Sequence, residues 1–146
     1  PMIYLWLNLG VLPFWIVLLF FPSSGVSKYM VRSIFPFMIF SFIYAYLLYY
    51  FFLTEFDFKN NFNLYLGLEQ LSELFSETGF LIMFWCHFLA INLFCGAWIV
   101  SDSLKFSMSK FLVFFPLLIT YFIGPIGLFF YWLIRIFFAK KLSLYD

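Results

Sequence analysis

Long apolar stretches alternate with short polar ones along this chain. The apolar stretches cover residues 2–21, 34–53, 79–100 and 111–138, and nearly all charged side chains fall between them. A helix needs about 20 predominantly apolar residues to cross the hydrocarbon core of a bilayer. The pattern therefore predicts an all-α fold, an integral membrane bundle of four transmembrane helices that form a single domain over residues 1–146.

Proline and glycine mark the boundaries and irregular points of the predicted helices. Pro22-Ser23-Ser24-Gly25 is a cluster of turn formers, and it predicts a loop that continues through Lys28 and Arg32. Pro36 is expected in the first turn of the second helix, where its missing N–H would have no partner in any case. Gly124-Pro125-Ile126-Gly127 predicts a bend or a close helix contact within the fourth helix.

A helical period with a polar face appears between the second and third apolar stretches. From Leu64 to Glu77, leucine and phenylalanine recur every three or four positions, while Glu69, Glu73 and Glu77 occupy another face. This pattern predicts one short amphipathic helix at the membrane interface. Its polar face is acidic, so attraction to anionic lipids does not hold it there.

Composition supports a membrane protein and excludes one class of function. Hydrophobic residues make up 66% of the chain and charged residues 10%, against roughly 45–50% and about 25% in soluble domains. The formal net charge of +1 leaves no basic field for binding nucleic acid. The 8 Lys and Arg side chains divide equally between the two sides of the four-helix arrangement, so the positive-inside rule gives no orientation.

Polar and aromatic side chains in the third apolar stretch are the candidates for function, because ionisable groups are costly inside a bilayer. His87 is the sequence's single histidine, and Asn92 lies on the same predicted helix, about 140° away around its axis. Both residue types form helix-to-helix hydrogen bonds, whereas a neutral histidine can also exchange a proton or bind a ligand. Trp85, Phe88 and Asn92, with Cys95 one turn further, form a stripe that either packs in the core or lines a slot for a flat apolar ligand.

Metal sites and the common catalytic motifs are missing from the sequence. One histidine and two cysteines do not match zinc or haem spacing, so we predict no metal. Cys86 and Cys95 are nine positions apart on one helix, too far for a disulfide, and are expected as free packing residues. GxSxG, HExxH, P-loop and dinucleotide fingerprints are all absent. These residues alone leave open whether the chain is an enzyme.

Short segments in all four predicted helices match one known family in order. They are Val11-Leu12-Pro13-Phe14, Tyr44-Ala45-Tyr46-Leu47-Leu48-Tyr49, Trp85-Cys86-His87-Phe88-Leu89 with Asn92-Leu93-Phe94, and Gly124-Pro125-Ile126-Gly127-Leu128. On these segments the chain resembles the abscisic-acid-deficient-four-like family of small membrane proteins. The resemblance implies a four-span protein that handles carotenoids. In plants, the family is linked to the rearrangement of an epoxide end group in violaxanthin to the allenic end of neoxanthin.

The same resemblance implies site residues and also departures from the family pattern. His87 matches the family's histidine, whereas Asn92 and Ala97 stand where the family usually has Asp and where bacterial-type members often have Arg. Opening an epoxide requires a proton donor and a base, and Asn92 cannot ionise. His87 is thus the candidate catalytic residue, and His87, Asn92, Trp85 and Phe88 are the expected ligand-binding residues.

Two functions follow as expectations. The first is a carotenoid-handling protein, which either isomerises xanthophyll end groups or binds a carotenoid. The alternative is a non-enzymatic accessory subunit of a larger photosynthetic or respiratory membrane complex, whose partners would be other membrane-protein subunits. A thylakoid, bacterial inner or mitochondrial inner membrane suits either function. A transporter ranks last, because no predicted helix carries a polar row to line a path.

Overall fold

The computed structural model describes residues 2–50 and 65–140. These residues form seven helices and no strand, which confirms the all-α class for this part of the chain. The helices are α1 (Met2–Phe20), α2 (Gly25–Arg32), α3 (Phe35–Leu48), α4 (Leu68–Phe75), α5 (Thr78–Lys105), α6 (Lys110–Phe122) and α7 (Gly124–Ala139).

The structure confirms part of the predicted set of membrane-crossing helices. In the described ranges, α1 and α5 are long and apolar enough to cross a membrane, and a third crossing results if α2 and α3, which meet at 51°, are counted as one. Helix α1 agrees with the first predicted helix, and α3 begins with Pro36 in its first turn, as predicted. The predicted end of the second helix at Leu53 lies outside the described residues. The chain is thus a bundle of membrane-type helices, and four crossings are not confirmed.

The predicted turn is present at residues 22–24, but the loop does not continue from there: residues 25–32, with Lys28 and Arg32, form helix α2, so that part of the prediction was wrong. Ser24 is the N-cap of α2, and its side-chain oxygen accepts a hydrogen bond from the Ser27 backbone N–H at 3.1 Å. Ser27 and Met30 are buried, and the helix packs against α5. The last serine of the turn is therefore also the residue that begins a short amphipathic helix.

The amphipathic helix between the second and third apolar stretches is present but shorter than predicted. It is α4, which covers Leu68–Phe75, while the predicted start at Leu64 lies outside the described residues. Leu74 is its buried side chain, and Phe75 packs edge-on against Phe80 at the start of α5, with ring centroids 4.9 Å apart. Leu68, which was predicted on the apolar face, is 82% exposed.

Helix α5 is the centre of the bundle, and every other described helix packs against it. Helix α1 runs beside it in the same direction, because Asn8 binds Trp85 near the start of α5, and Trp15 contacts Gly96 further along. Helix α3 runs in the opposite direction on another side of α5. Gly96 permits the close approach of Trp15, since a Cβ at this position would collide with the indole ring.

The apolar stretch predicted as a fourth crossing helix is divided into α6 and α7, which form a helical hairpin. Gly127 lies so close to Thr120 that a Cβ would collide with the Thr120 backbone, whereas in one straight helix these residues would be about 10 Å apart along the axis. Arg135 near the end of α7 reaches Asp102 near the end of α5. Helix α6 therefore leads away from the end of α5 to a tip at Ile123, and α7 leads back.

Three residues explain why the chain reverses at this point. Ile123 is extended, with φ −142° and ψ 94°, and ends α6. Pro125 lies in the first turn of α7, where its fixed φ suits a helix start. Gly127 gives the space for Thr120 to approach. Helix α6 has 13 residues and α7 has 16, about 20 and 24 Å in length, so each is shorter than the hydrocarbon core of about 30 Å.

The hairpin also changes where the charges lie. Lys110 begins α6 and Lys140 follows α7, so both are at the end of the bundle where α5 finishes at Lys105. Arg135 is fully buried, so it is not a surface charge at either end of the bundle. The glutamates at positions 69, 73 and 77 lie at the opposite end, in α4 and at the start of α5. The positive charges of the described residues are therefore not divided equally between the two ends of the bundle, as the four-helix arrangement predicted.

We expect Lys110→Cys and Lys140→Cys to react with a membrane-impermeant thiol reagent from the same side of the membrane, because the hairpin returns α7 to the level at which α6 begins. The background is the Cys86→Ala, Cys95→Ala protein in a bacterial inner membrane, where the positive-inside rule makes this side cytoplasmic. Glu73→Cys should react from the other side. Labelling of positions 110 and 140 from opposite sides would show that residues 111–138 cross as one helix.

Candidate functional site

The residues predicted to bind a ligand lie on different faces of α5. Trp85 and Phe88 are together, with their rings stacked at 5.0 Å between centroids. The Trp85 indole N–H donates a hydrogen bond of 2.9 Å to Asn8 Oδ1. His87 is exposed, and its ring lies 6.2 Å from that of Tyr44 on α3. The structure thus brings Trp85 and Phe88 together and leaves His87 on a separate surface.

Asn92 connects α5 to the tip of the hairpin. Its side chain is buried, and its Oδ1 lies so close to Gly124 that a Cβ there would collide with it. Its Nδ2 has no hydrogen-bond partner among the described residues, and a buried donor left unpaired costs about 1–3 kcal/mol. Cys95 is half-buried on the same helix, and both cysteines are free, as predicted. Asn92 is therefore a contact between helices that does not meet His87.

A buried polar centre that the sequence did not predict joins α5 to α7. Asp102 Oδ2 accepts two hydrogen bonds of 2.6 Å, one from Arg135 Nε and one from the Tyr131 hydroxyl. Tyr131 and Arg135 are fully buried, and Asp102 is 5% exposed. A buried ion pair is stable only when further hydrogen bonds satisfy its polar atoms, and Tyr131 supplies one. The three side chains hold the returning arm of the hairpin against the end of α5.

Aromatic rings surround the guanidinium group of this centre. The Cζ atom of Arg135 lies 5.6, 5.4 and 5.6 Å from the ring centroids of Trp98, Phe106 and Trp132. A cation held over an aromatic ring gains about 2 kcal/mol when the contact is shielded from water. The rings therefore help to compensate for the cost of keeping a charged side chain inside the bundle.

An apolar groove opens between α1 and α3. Its volume is about 300 Å³, and Trp6, Phe14 and Phe40 are among its lining residues. Gly10 forms an open part of the wall, because a Cβ on it would meet no atom within 4 Å. Phe14 and Phe40 touch edge-on, with centroids 6.1 Å apart. The groove thus has aromatic walls and lies on the side of the bundle.

A second apolar groove lies at the acidic end, between α1, α4 and α5. Its volume is about 410 Å³, and Tyr4, Phe75 and Trp85 line it. Trp85 is the predicted site residue found in this groove, whereas His87, Asn92 and Phe88 do not line either groove. Within residues 2–50 and 65–140, no three His, Cys, Asp or Glu side chains are grouped to hold a metal ion.

Comparisons with known proteins confirm the resemblance found in the sequence. The model of the family described as ABA DEFICIENT 4-like matches residues 2–131. Over 99 residues the chain is 30% identical to "Protein ABA DEFICIENT 4, chloroplastic" of Arabidopsis thaliana, an alignment that covers 66% of this chain and 44% of that protein. The chain thus spans less than half the length of this curated relative. No solved structure matches the chain.

Proposed function

Because the chain belongs to the ABA DEFICIENT 4-like family, we propose that it is a membrane protein that binds a carotenoid and takes part in the conversion of xanthophyll end groups. The groove between α1 and α3 is the observation that carries the binding part of this proposal. The lining residues run from Ile3 to Phe14 along α1, about 16 Å of helix. A polyene chain is a flat apolar rod, and this groove offers it a long wall without charged side chains.

The surroundings of the groove also suit a ligand that arrives from the lipid phase. Trp6 on its rim is 68% exposed on the outer surface of the bundle. A carotenoid dissolved in the bilayer can therefore enter sideways without passing through water. Ring faces bind flat apolar partners well, since aromatic pairs gain about 0.5–1.5 kcal/mol beyond the area that they bury. Trp6, Phe14 and Phe40 supply such faces.

Conversion of an end group needs acid and base chemistry that the groove does not contain. No titratable side chain lines it, so the groove supports binding alone. An epoxide opens when a donor protonates its oxygen and a base removes a proton. His87, exposed on α5 beside Tyr44, remains the proposed titratable group for that reaction. Binding and conversion are therefore separate parts of the proposal, with separate residues.

Gly10→Leu is expected to lower carotenoid binding on the order of 10-fold or more, which corresponds to about 1.4 kcal/mol. The leucine side chain enters the space next to Gly10, where a Cβ meets no atom within 4 Å, so it fills the groove without disturbing the bundle. The measurement is the visible polyene absorption of purified protein, relative to its protein absorption, after incubation with xanthophyll in mild detergent. His87→Ala is the matched control, which should bind pigment as the wild type does but fail to convert it.

Each part of the proposal has its own contradicting result. Wild-type binding by Gly10→Leu would place the polyene outside this groove. Wild-type conversion by His87→Ala would remove His87 from the chemistry. A wild-type protein that binds no carotenoid, and that migrates with a large complex on a native gel, would favour the accessory-subunit alternative.

A further inference from the structure

A small cavity lies at the basic end of the bundle, separate from both grooves. Its volume is about 160 Å³, and it is bounded by the end of α1, the end of α5 and the start of α6. An apolar cavity of about 150 Å³ can hold a benzene ring. The cavity therefore has the size for one six-membered ring. Leu18, Leu104 and Leu117 give it apolar walls.

One buried polar side chain lies in the wall of this cavity. Ser103 lines it and is 4% exposed, so its hydroxyl group is shielded from water. This hydroxyl donates its proton to the Val100 carbonyl oxygen at 2.9 Å. A serine hydroxyl has one proton and two lone pairs, so Ser103 Oγ can accept a hydrogen bond from a ligand but has no second proton to give. The inner wall therefore favours a ligand that donates a hydrogen bond to Ser103 Oγ.

Met108 separates the cavity from the polar centre of Asp102, Tyr131 and Arg135. It lines the cavity, and its Sδ lies 3.6 Å from the Tyr131 hydroxyl oxygen on the far side. Met108 therefore lies between the cavity and the ion pair of Asp102 and Arg135, and the ion pair does not line the cavity. Ser103 is the buried polar side chain among the residues that line the cavity.

The opening of the cavity lies towards the membrane surface. Ser23 and Lys110 also line it, and both are exposed at the basic end of the bundle. A small amphipathic molecule at the headgroup level can enter there without crossing the hydrocarbon core. The apolar walls then bury its ring, as in other small-molecule sites, where few polar groups fix the orientation.

We propose that this cavity is a binding site for a monocyclic alcohol, whose ring lies between the leucines and whose hydroxyl donates a hydrogen bond to Ser103 Oγ. The site is independent of the proposed carotenoid groove, because it shares no lining residue with it. The buried acceptor distinguishes an alcohol, which can donate to it, from a ketone of the same shape, which cannot. A net hydrogen bond of this kind contributes about 0.5–1.5 kcal/mol, which is about 2- to 10-fold in affinity.

The test uses cyclohexanol, cyclohexane and cyclohexanone as probes of the purified full chain in mild detergent. A ligand that binds only the folded state raises the thermal unfolding midpoint, so the midpoint is measured against probe concentration. We expect cyclohexanol to bind about 2- to 10-fold more tightly than cyclohexanone, while cyclohexane measures the binding of the ring alone. Ser103→Ala should remove this preference and leave ring binding in place, whereas Leu117→Trp should fill the cavity and abolish the response to all three.

Control variants distinguish binding in this cavity from binding elsewhere on the protein or in the detergent. Gly10→Leu, which fills the carotenoid groove, should leave the response to cyclohexanol unchanged. The proposal is overturned if the wild type binds cyclohexanol and cyclohexanone equally, which indicates a cavity without a hydroxyl site. It is also overturned if Lys110→Ala, rather than Ser103→Ala, removes the preference. A response that persists in Leu117→Trp would contradict it as well, because the probes would then act outside the cavity.

Discussion

Asp102→Ala is expected to destabilise the protein by about 3–5 kcal/mol, because it removes the Asp102 carboxylate from the buried Arg135 guanidinium. Asp102 Oδ2 is the acceptor for both Arg135 Nε and the Tyr131 hydroxyl, so the substitution also removes the carboxylate that binds Tyr131. The polar centre links α5 to α7, and its loss should release the returning arm of the hairpin. The midpoint of thermal unfolding in mild detergent measures the effect.

A double substitution separates the cost of a broken pair from the value of the pair itself. Asp102→Leu combined with Arg135→Met replaces both charges by apolar side chains, and such replacements of buried ion pairs are often neutral or stabilising. The double variant should therefore recover most of the stability that Asp102→Ala loses. Glu73→Ala, at an exposed position on α4, is the control and should stay within about 0.5 kcal/mol of the wild type. Wild-type stability of Asp102→Ala would show that the pair does not hold the hairpin.

The sequence predicted α1, α3 and α5 well, because the length of an apolar stretch is a local property and depends on no other part of the chain. For the stretch 111–138, the length of the apolar stretch did not predict the structure. The same apolar composition suits one long crossing helix or two short helices that lie side by side. Gly124-Pro125-Ile126-Gly127 indicated an irregular point, but the direction of the chain after it depends on contacts made after the chain has folded.

The buried polar centre could not be predicted because it also depends on the direction that the chain takes after residue 123. In the four-helix arrangement, Asp102 and Arg135 lie on opposite sides of the membrane, so that arrangement excludes their pairing. The third apolar stretch ends at residue 100, whereas α5 continues to Lys105 and so includes Asp102. The sequence does contain one signal: a single arginine within an apolar stretch of a membrane protein is expected to have a partner. The four-helix arrangement treats Arg135 as a surface charge instead.

The same distinction applies to the candidate site residues: some of their features depend on one helix alone, and others depend on how two helices pack. The separation of His87 and Asn92 onto different faces of α5 was predicted correctly from helix geometry, since both belong to one helix. Gly10 could not be recognised, because a glycine within an apolar helix has no chemical signature. Its importance to the proposed groove appears only when α3 is placed beside α1.

The hairpin itself is tested at Gly127, where replacement by alanine is expected to destabilise the protein by about 1–3 kcal/mol, the usual cost of overpacking a close contact. The new Cβ would collide with the backbone nitrogen and Cα of Thr120, so the two helices must move apart. In the Gly127→Ala protein, Thr120→Ala should not restore stability, because the backbone atoms of residue 120 remain in place.

Gly10→Ala is the matched control for this prediction and should change stability in the opposite direction. Gly10 lies within α1, and a Cβ there meets no atom within 4 Å. Replacing a helical glycine by alanine at a compatible position stabilises by about 0.4–1 kcal/mol, chiefly because it restricts the unfolded chain. The same exchange should thus raise the unfolding midpoint at residue 10 and lower it at residue 127. Equal stabilisation by both substitutions would contradict the close contact between Gly127 and Thr120 on which the hairpin depends.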